Sequence, residues 1–258
     1  MESNGILVPA WPDAPGNIGA LATTRLGGVS QEPYDDGAGG GGFNLGLHVG
    51  DAADAVAQNR ARLQALLPGR PAWIAQVHGA DVVDAATVGQ DQPVRVGDAS
   101  IATRPGVVCA ILTADCLPVL FADRAGKTVG AAHAGWRGLA GGVLGQTIAA
   151  MRATGADEIT AWMGPAIGPS AFEVGQDVFD SFAAALPGID VGFAFAARPE
   201  AVGKYFADIY ALARLMLARD GVHSVAGGEY CTHTERTRFY SYRRDGVTGR
   251  QASLIWLK

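Results

Sequence analysis

The sequence predicts an α/β fold of the α+β sandwich kind: one domain with a central mixed sheet flanked by helices. Three observations lead there. Short apolar runs at 72–77, 107–113, 118–122 and 128–132, each bounded by Gly, Asp or Pro, read as strands. These runs lack polar alternation, which is the pattern of strands buried on both faces. Helical stretches then interleave with further strands to the end of the chain, with no linker or repeat between them.

In order along the chain, residues 18–23 form the first strand, followed by the turn-rich Arg25-Leu-Gly-Gly-Val-Ser and the glycine tract 37–42, a mobile loop. Asp51 is the expected N-cap of a helix over 52–67, with Val56, Leu63, Leu66 and Leu67 on its apolar side and Pro68-Gly69 ending it. The four apolar strands follow. Beyond them a helix is expected over 138–152, a strand over 159–163, helices over 176–185 and 204–219, and strands over 239–243 and 253–257.

With 258 residues, 48% of them hydrophobic and 17% charged, the chain can bury a sizeable core and is neither disordered nor fibrous. A net charge of −5 repels polyanions and argues against nucleic acid as a partner. The start, MESNGILVPAW, lacks a basic segment followed by an apolar one, and no apolar stretch reaches the ~18 residues that span a bilayer. The expected location is the cytoplasm, without membrane contact. Cys109, Cys116 and Cys231 are too few and too odd in number for a disulfide framework, so each is read as a thiol.

Three segments share one layout, an apolar strand ending in a soft metal ligand: Trp73-Ile-Ala-Gln-Val-His78, Ile111-Leu-Thr-Ala-Asp-Cys116 and Val129-Gly-Ala-Ala-His133. Neighbouring strands lie about 5 Å apart, so ligands at their ends can converge on one ion despite wide gaps in sequence. Two imidazoles and a thiolate suit zinc, and three protein ligands leave a fourth position open, the mark of a catalytic site. The same residues also fit hydrogen-bonded histidines beside a core thiol. A third reading is a metal-free nucleophile pair, with Cys116 as thiolate, a histidine as base, and Asp115 or Asp98 orienting it. Arg25 and Arg137 stand at glycine-rich turns, where a guanidinium can hold phosphate or carboxylate through two parallel bonds; Arg244 and Arg250 read as surface or structural ion-pair residues.

The strings Gln76-Val-His78-Gly, Thr113-Ala-Asp-Cys116-Leu-Pro-Val, Ala132-His133-Ala-Gly-Trp-Arg137-Gly and Tyr240-Ser-Tyr-Arg243-Arg-Asp-Gly stand in order along the chain. With Thr24-Arg25-Leu-Gly-Gly, Asn44-Leu-Gly-Leu-His48 and Gly164-Pro-Ala-Ile-Gly-Pro, they resemble the laccase-domain, or peptidoglycan editing factor, family of purine nucleoside phosphorylases, over residues 18–257. The resemblance implies a mixed, cysteine-hydrolase-like fold of the family's own. It implies that His78, Cys116 and His133 hold zinc; by the divalent affinity order copper could substitute for it there. It implies phosphorolysis of adenosine, inosine, guanosine and methylthioadenosine, and deamination of adenosine.

Its partners would be purine nucleosides and phosphate, the protein acting as a monomer. Asn44, Gln76, Tyr240 and Arg243 join Arg25 and Arg137 as substrate-binding candidates, and Asp115 is the catalytic carboxylate candidate. Family members often carry cysteines where this chain has Ala166, Ser170 and Ala171, so no thiol there is essential. The segment around Asp98 departs slightly from the family's form.

The resemblance carries rival functions. One is a hydrolase that removes misincorporated L-serine from a peptidoglycan precursor, using Cys116 or the metal. Another is polyphenol oxidation, but a multi-copper oxidase needs many more histidines than the five present. Zinc at an open site is suited to deaminating an aminopurine. Phosphorolysis requires a phosphate held near C1′ of the sugar, for which Arg25 and Arg137 are the sequence's candidates. Trp136, Tyr240 and Tyr242 are aromatic enough to stack on a purine, though aromatic residues beside strands more often belong to a core.

Overall fold

The strands of the computed structural model, which describes residues 2–3, 5–89 and 93–258, form two six-stranded sheets and a three-stranded one. From edge to edge the first sheet runs Glu2–Ser3, Ile6–Leu7, Ile18–Thr23, Gln251–Leu257, Val108–Thr113 and Pro71–Ala72. The second runs Ser224–Gly227, Ile159–Met163, Leu117–Asp123, Val129–Ala134, Ala99–Ala102 and Val82–Asp84. Both are mixed as expected. Antiparallel pairing dominates, while Pro71–Ala72, Ser224–Gly227 and Val82–Asp84 each run parallel to the neighbour they flank.

Alternation along each strand decides what covers it. Cys109, Ile111 and Ile255 of the first sheet share a core with Leu120, Ala122, Val129, Ala131 and Trp162 of the second. The opposite faces meet helices. Val108, Ala110 and Leu254 pack with Leu63 of the helix Ala53–Gln64. Leu117, Val119 and Phe121 pack with Leu144 and Ile148 of Val143–Ala153 and with Leu212 and Met216 of Ile209–Arg219. The result is four layers: helix, sheet, sheet, helices. The expected single central sheet with helices on both sides is therefore two sheets, each shielding the inner face of the other. A strand buried on both faces has the same apolar sequence whether helix or sheet covers it, so the pattern could not separate the two.

Several local expectations change for identifiable reasons. Asp51 does not cap the first helix. Its carboxylate instead accepts from Ser30 Oγ at 2.6 Å and Asn44 Nδ2 at 2.9 Å, and the cap position is Ala52, without a side-chain bond. The helix expected over 138–152 is two helices, Trp136–Ala140 and Val143–Ala153, broken where Gly142 turns to a φ of 89°. Lys204–Ala207 is a strand paired with Glu173–Gly175 and Phe195–Ala197; the helix begins at Ile209, capped by Asp208, whose carboxylate accepts from the N–H groups of Tyr210 and Ala211 at 3.0 Å. Of the expected 72–77 strand only Ala72 joins a ladder, as the end of Pro71–Ala72, and Ala75 makes an isolated bridge to Val96. In place of a strand over 239–243, Ser241 caps the short helix Tyr242–Asp245. Among the described residues, no helix is long and apolar enough to cross a membrane.

Candidate metal centre

The chain passes from the first sheet to the second twice near one end of the sandwich, and each passage carries a ligand. The first lies between Pro71–Ala72 and Val82–Asp84 and holds His78; the second lies between Val108–Thr113 and Leu117–Asp123 and holds Asp115 and Cys116. Both turns are tight. Among the described residues, His78 and Asp115, with φ of 62° and 90°, are the non-glycine residues in the left-handed region, a conformation that persists only where surrounding contacts enforce it. His133 comes from the strand Val129–Ala134. Because Leu117 pairs with Ala134 and Pro118 with His133, the register carries Cys116 to the position across from Gly135, diagonal to His133 at the same end of the ladder.

One ligand atom from each of His78, Cys116 and His133 lies within 4.8 Å of the others, and Cys116 Sγ stands 3.8 Å from His78 Nε2. Bond lengths of 2.0–2.3 Å put tetrahedral zinc ligands about 3.3–3.6 Å apart, so a small inward movement completes the set. Gly135 makes room for it: a Cβ there would lie 3.0 Å from both Cys116 Sγ and His78 Cδ2. The donors fit zinc in type and number.

Asp98 governs this geometry, and the sequence offered it only as one alternative orienter. Ala99 pairs with Ala132, so the residue before Ala99 falls opposite His133. Its buried carboxylate accepts from the backbone N–H groups of Val77, His78 and Gly79 at 3.1, 2.9 and 2.7 Å, which pins the left-handed turn, and meets His133 Nδ1 at 2.8 Å. Burial pushes this carboxyl up, but the His133 bond and the N–H groups of Gly79 and Val77 outweigh it and bring it to about 2. An ionised carboxylate only accepts, so Nδ1 carries the proton and Nε2 is the nitrogen left for a metal.

Burial alone would lower His133, yet Asp98 and Cys116 raise it to about 9. Burial alone would raise Cys116, yet hydrogen bonds from His133 and His78 bring it down to about 6. Without metal the centre is thus a thiolate beside an imidazolium.

Two cavities meet at the ligands. A larger one of about 760 Å³ is lined by Arg60, Trp73, Gln76, Tyr242 and Arg250 together with His78, Cys116 and His133. A smaller one of about 200 Å³ lies on the other side of His78 and Cys116, against Trp136, Arg137, Phe172 and Arg243. Gln76 lines the larger cavity with its amide locked to Leu112, donating to the carbonyl at 2.8 Å and accepting from the N–H at 2.9 Å. Arg137 and Arg243 border the smaller one.

Three other candidates do not reach either cavity. Arg25 is buried, its guanidinium bonded to the Asp35 and Arg236 carbonyls and the Asp35 carboxylate, with Tyr240 below it at 4.9 Å. Tyr240 is buried and donates to the Tyr34 carbonyl at 2.6 Å. Asn44 is buried in a turn, bonded to Gly46, Asp51 and the Arg250 N–H. Asn44 thereby holds the backbone of Arg250, while Arg25 and Tyr240 tie down the loop of Tyr34 and Asp35. Asp115 has both carboxylate oxygens engaged, accepting from Thr232 Oγ1 at 2.6 Å and the Arg243 N–H at 2.7 Å, which ties the Cys116 turn to the Tyr242 helix. His48, Arg60, Trp73 and Arg250 at the larger cavity escaped the sequence reading as site residues. His48 lay within a recognised string, but no spacing linked Arg60 to it.

Fold and donors define the class: a four-layer mixed α/β protein with an open His–Cys–His group at one end of its paired sheets. The chain belongs to the family described as multi-copper polyphenol oxidoreductase laccase, whose pattern matches residues 19–258. It is 51% identical to a Pseudomonas aeruginosa protein named purine nucleoside phosphorylase, over 99% of both chains. It is 50% identical to the Escherichia coli K12 purine nucleoside phosphorylase YfiH, over 98% of both. A crystal structure of a Neisseria meningitidis protein superposes with a TM-score of 0.89 at 50% identity, covering 98% of this chain and 99% of that one. YlmD from Geobacillus stearothermophilus superposes at 0.88 with 34% identity, covering 100% and 98%. Despite the family's description, the described residues assemble one three-ligand group, enough for one ion rather than several.

Proposed function

We propose that this chain is a zinc-dependent purine nucleoside phosphorylase. It takes adenosine, inosine, guanosine and methylthioadenosine, and adenosine deamination is a second reaction of the same centre. One observation carries the reading: among the described residues no fourth protein ligand closes the three donors, which open onto a cavity of about 760 Å³, within the range of about 300–1,000 Å³ that small-molecule sites occupy. The purine itself is supported by the names of the relatives at about half identity.

His78, Cys116 and His133 would hold the ion, which when bound supplies Lewis-acid polarisation at its open position. The residues around it have separable tasks. Asp98 keeps the His133 proton on Nδ1 and holds the His78 turn. Asp115 is assigned a positioning role, because both of its oxygens are committed to Thr232 and Arg243. Trp73, held under Arg60 at 4.5 Å, offers an aromatic wall in the larger cavity, and Gln76 fixes the wall opposite Leu112. Arg137 and Arg243 border the smaller cavity, where they can meet polar parts of the substrate.

The test is product identification with adenosine, with and without phosphate. Ribose 1-phosphate that appears only with phosphate supports phosphorolysis; inosine supports deamination. Untouched adenosine, with cleavage of a serine-bearing muropeptide precursor, would replace this reading with the editing hydrolase. Equal zinc content in the wild type and in Cys116→Ala would remove the metal assignment.

A further inference from the structure

The geometry points to an oxyanion subsite on the wall of the larger cavity, formed by Arg60 and Arg250, that holds the inorganic phosphate co-substrate. The inference rests on the phosphorylase reading and deepens it. Arg60 projects from the helix Ala53–Gln64, and Arg250 immediately precedes the strand Gln251–Leu257. The fold brings both to the cavity that holds His78, Cys116 and His133.

Neither forms an ion pair with a carboxylate of the described residues, and unlike the exposed Arg62 and Arg214, which also bond carbonyls, both line the cavity that reaches the metal ligands. Among the described residues that line this cavity there is no Asp or Glu. Arg60 donates through Nε to the Leu45 carbonyl at 3.0 Å, and Arg250 through Nη1 to the carbonyls of Thr248 and Gly249 at 3.0 Å. Elsewhere Arg25, Arg198, Arg219 and Arg244 each pair with a carboxylate. Carbonyl bonds fix a guanidinium in place without neutralising it. Asp115 and Cys116 attract Arg250 through space, but neither is hydrogen-bonded to it.

Burial lowers the pKa of both arginines, as expected where charge is withheld from water without a partner. Burial and the two guanidinium charges also hold the nearby His48 below its ordinary value, which places it within the field of both. Such a site attracts an external anion.

Both groups are preorganised. Arg60 stacks on Trp73, and the Arg250 backbone is held by its N–H bond to Asn44 Oδ1 at 2.8 Å. Asn44, a binding candidate from the sequence, thus acts through Arg250. Two guanidinium forks match a dianion with several oxygens better than a carboxylate, which one fork satisfies. That favours phosphate.

In the reaction, a phosphate oxygen bonds to C1′ of the ribose as the C1′–N bond to the purine breaks. The bonding pair leaves with the base, and the proton shed by the phosphate ends on a purine nitrogen. The products are ribose 1-phosphate and the free purine.

The test uses metal-loaded full-length enzyme with Arg60→Gln, Arg250→Gln and the matching Lys variants, each checked for folding by its urea midpoint. Losing one charge-assisted contact should raise the phosphate KM by about tenfold to hundredfold while the nucleoside KM moves by less than about threefold, with Lys restoring part of the loss. An unchanged phosphate KM in both Gln variants overturns the subsite and leaves phosphorolysis standing. If the wild type has no phosphate-dependent turnover, phosphorolysis falls. Phosphate binding followed by 31P line broadening then decides the subsite: weakening in the Gln variants sustains it, and equal binding overturns it. Acetate competing as well as phosphate, in an Arg60-dependent way, would assign the site to a carboxylate and overturn the phosphate assignment.

Discussion

Replacing Asp98 with Asn tests how the centre is held together. The two side chains are nearly the same size, so the change is one of charge and of donor against acceptor. In the wild type one carboxylate oxygen serves His78 N–H and His133 Nδ1, and the other serves the N–H groups of Val77 and Gly79. Asparagine has a single acceptor oxygen. If that oxygen faces Val77 and Gly79, the amide NH₂ faces His133, drives its proton to Nε2 and removes the nitrogen a metal needs. If the oxygen faces His133 instead, the NH₂ confronts two backbone N–H groups, and the left-handed His78 turn loses its anchor.

Either outcome damages the centre. Loss of the orienting carboxylate predicts a zinc affinity lower by about 10–100-fold. Loss of charge-assisted bonds to the turn predicts a metal-free protein less stable by about 2–4 kcal/mol. Zinc competition against a chromophoric chelator and urea unfolding of the metal-free protein read the two effects separately. An Asp98→Asn protein that binds zinc within about twofold of wild type would refute the reasoning, because each arrangement of the amide impairs one of the two histidines.

Zinc must displace the proton that His133 holds up to a pH of about 9, so affinity should rise about tenfold per pH unit from about 6 to 9 and level off above; below about 6, where the Cys116 thiol is also protonated, the slope should steepen. Competition titrations across that range give the slope, and a flat profile between 6 and 9 contradicts the thiolate–imidazolium pair. Gly135→Ala sets a methyl 3.0 Å from Cys116 Sγ and His78 Cδ2 and should weaken zinc binding by about tenfold while the urea midpoint stays near wild type. Arg25→Ala, which leaves Asp35 and two carbonyls without their buried donor, should cost about 2–4 kcal/mol in urea unfolding. Gly142→Ala meets no atom within 4 Å, so its cost is that of the left-handed backbone alone, about 1–2 kcal/mol by the same measurement.

Local chemistry and apolar pattern were legible in the sequence. The strands Ile18–Thr23 and Ile159–Met163 and the helix Gln176–Ala185 fall where their patterns place them, because each is bounded by its own turn residues. The three donor residues were legible too, since few residue types ligate zinc and each closed an apolar run.

The tertiary structure decided what depends on partners remote in the chain. A strand buried on both faces does not encode whether its cover is a helix or a second sheet, and the four layers emerge only when the sheets pack. In sequence Arg25, ahead of a Gly-Gly turn, reads as an anion-binding residue and Arg250 as an ion-pair residue, and the fold reverses the two. One is neutralised by Asp35, while the other lines a cavity without a carboxylate among its described residues. Asp98 becomes the anchor of the centre because antiparallel register sets it opposite His133, and register belongs to the sheet rather than to either strand alone.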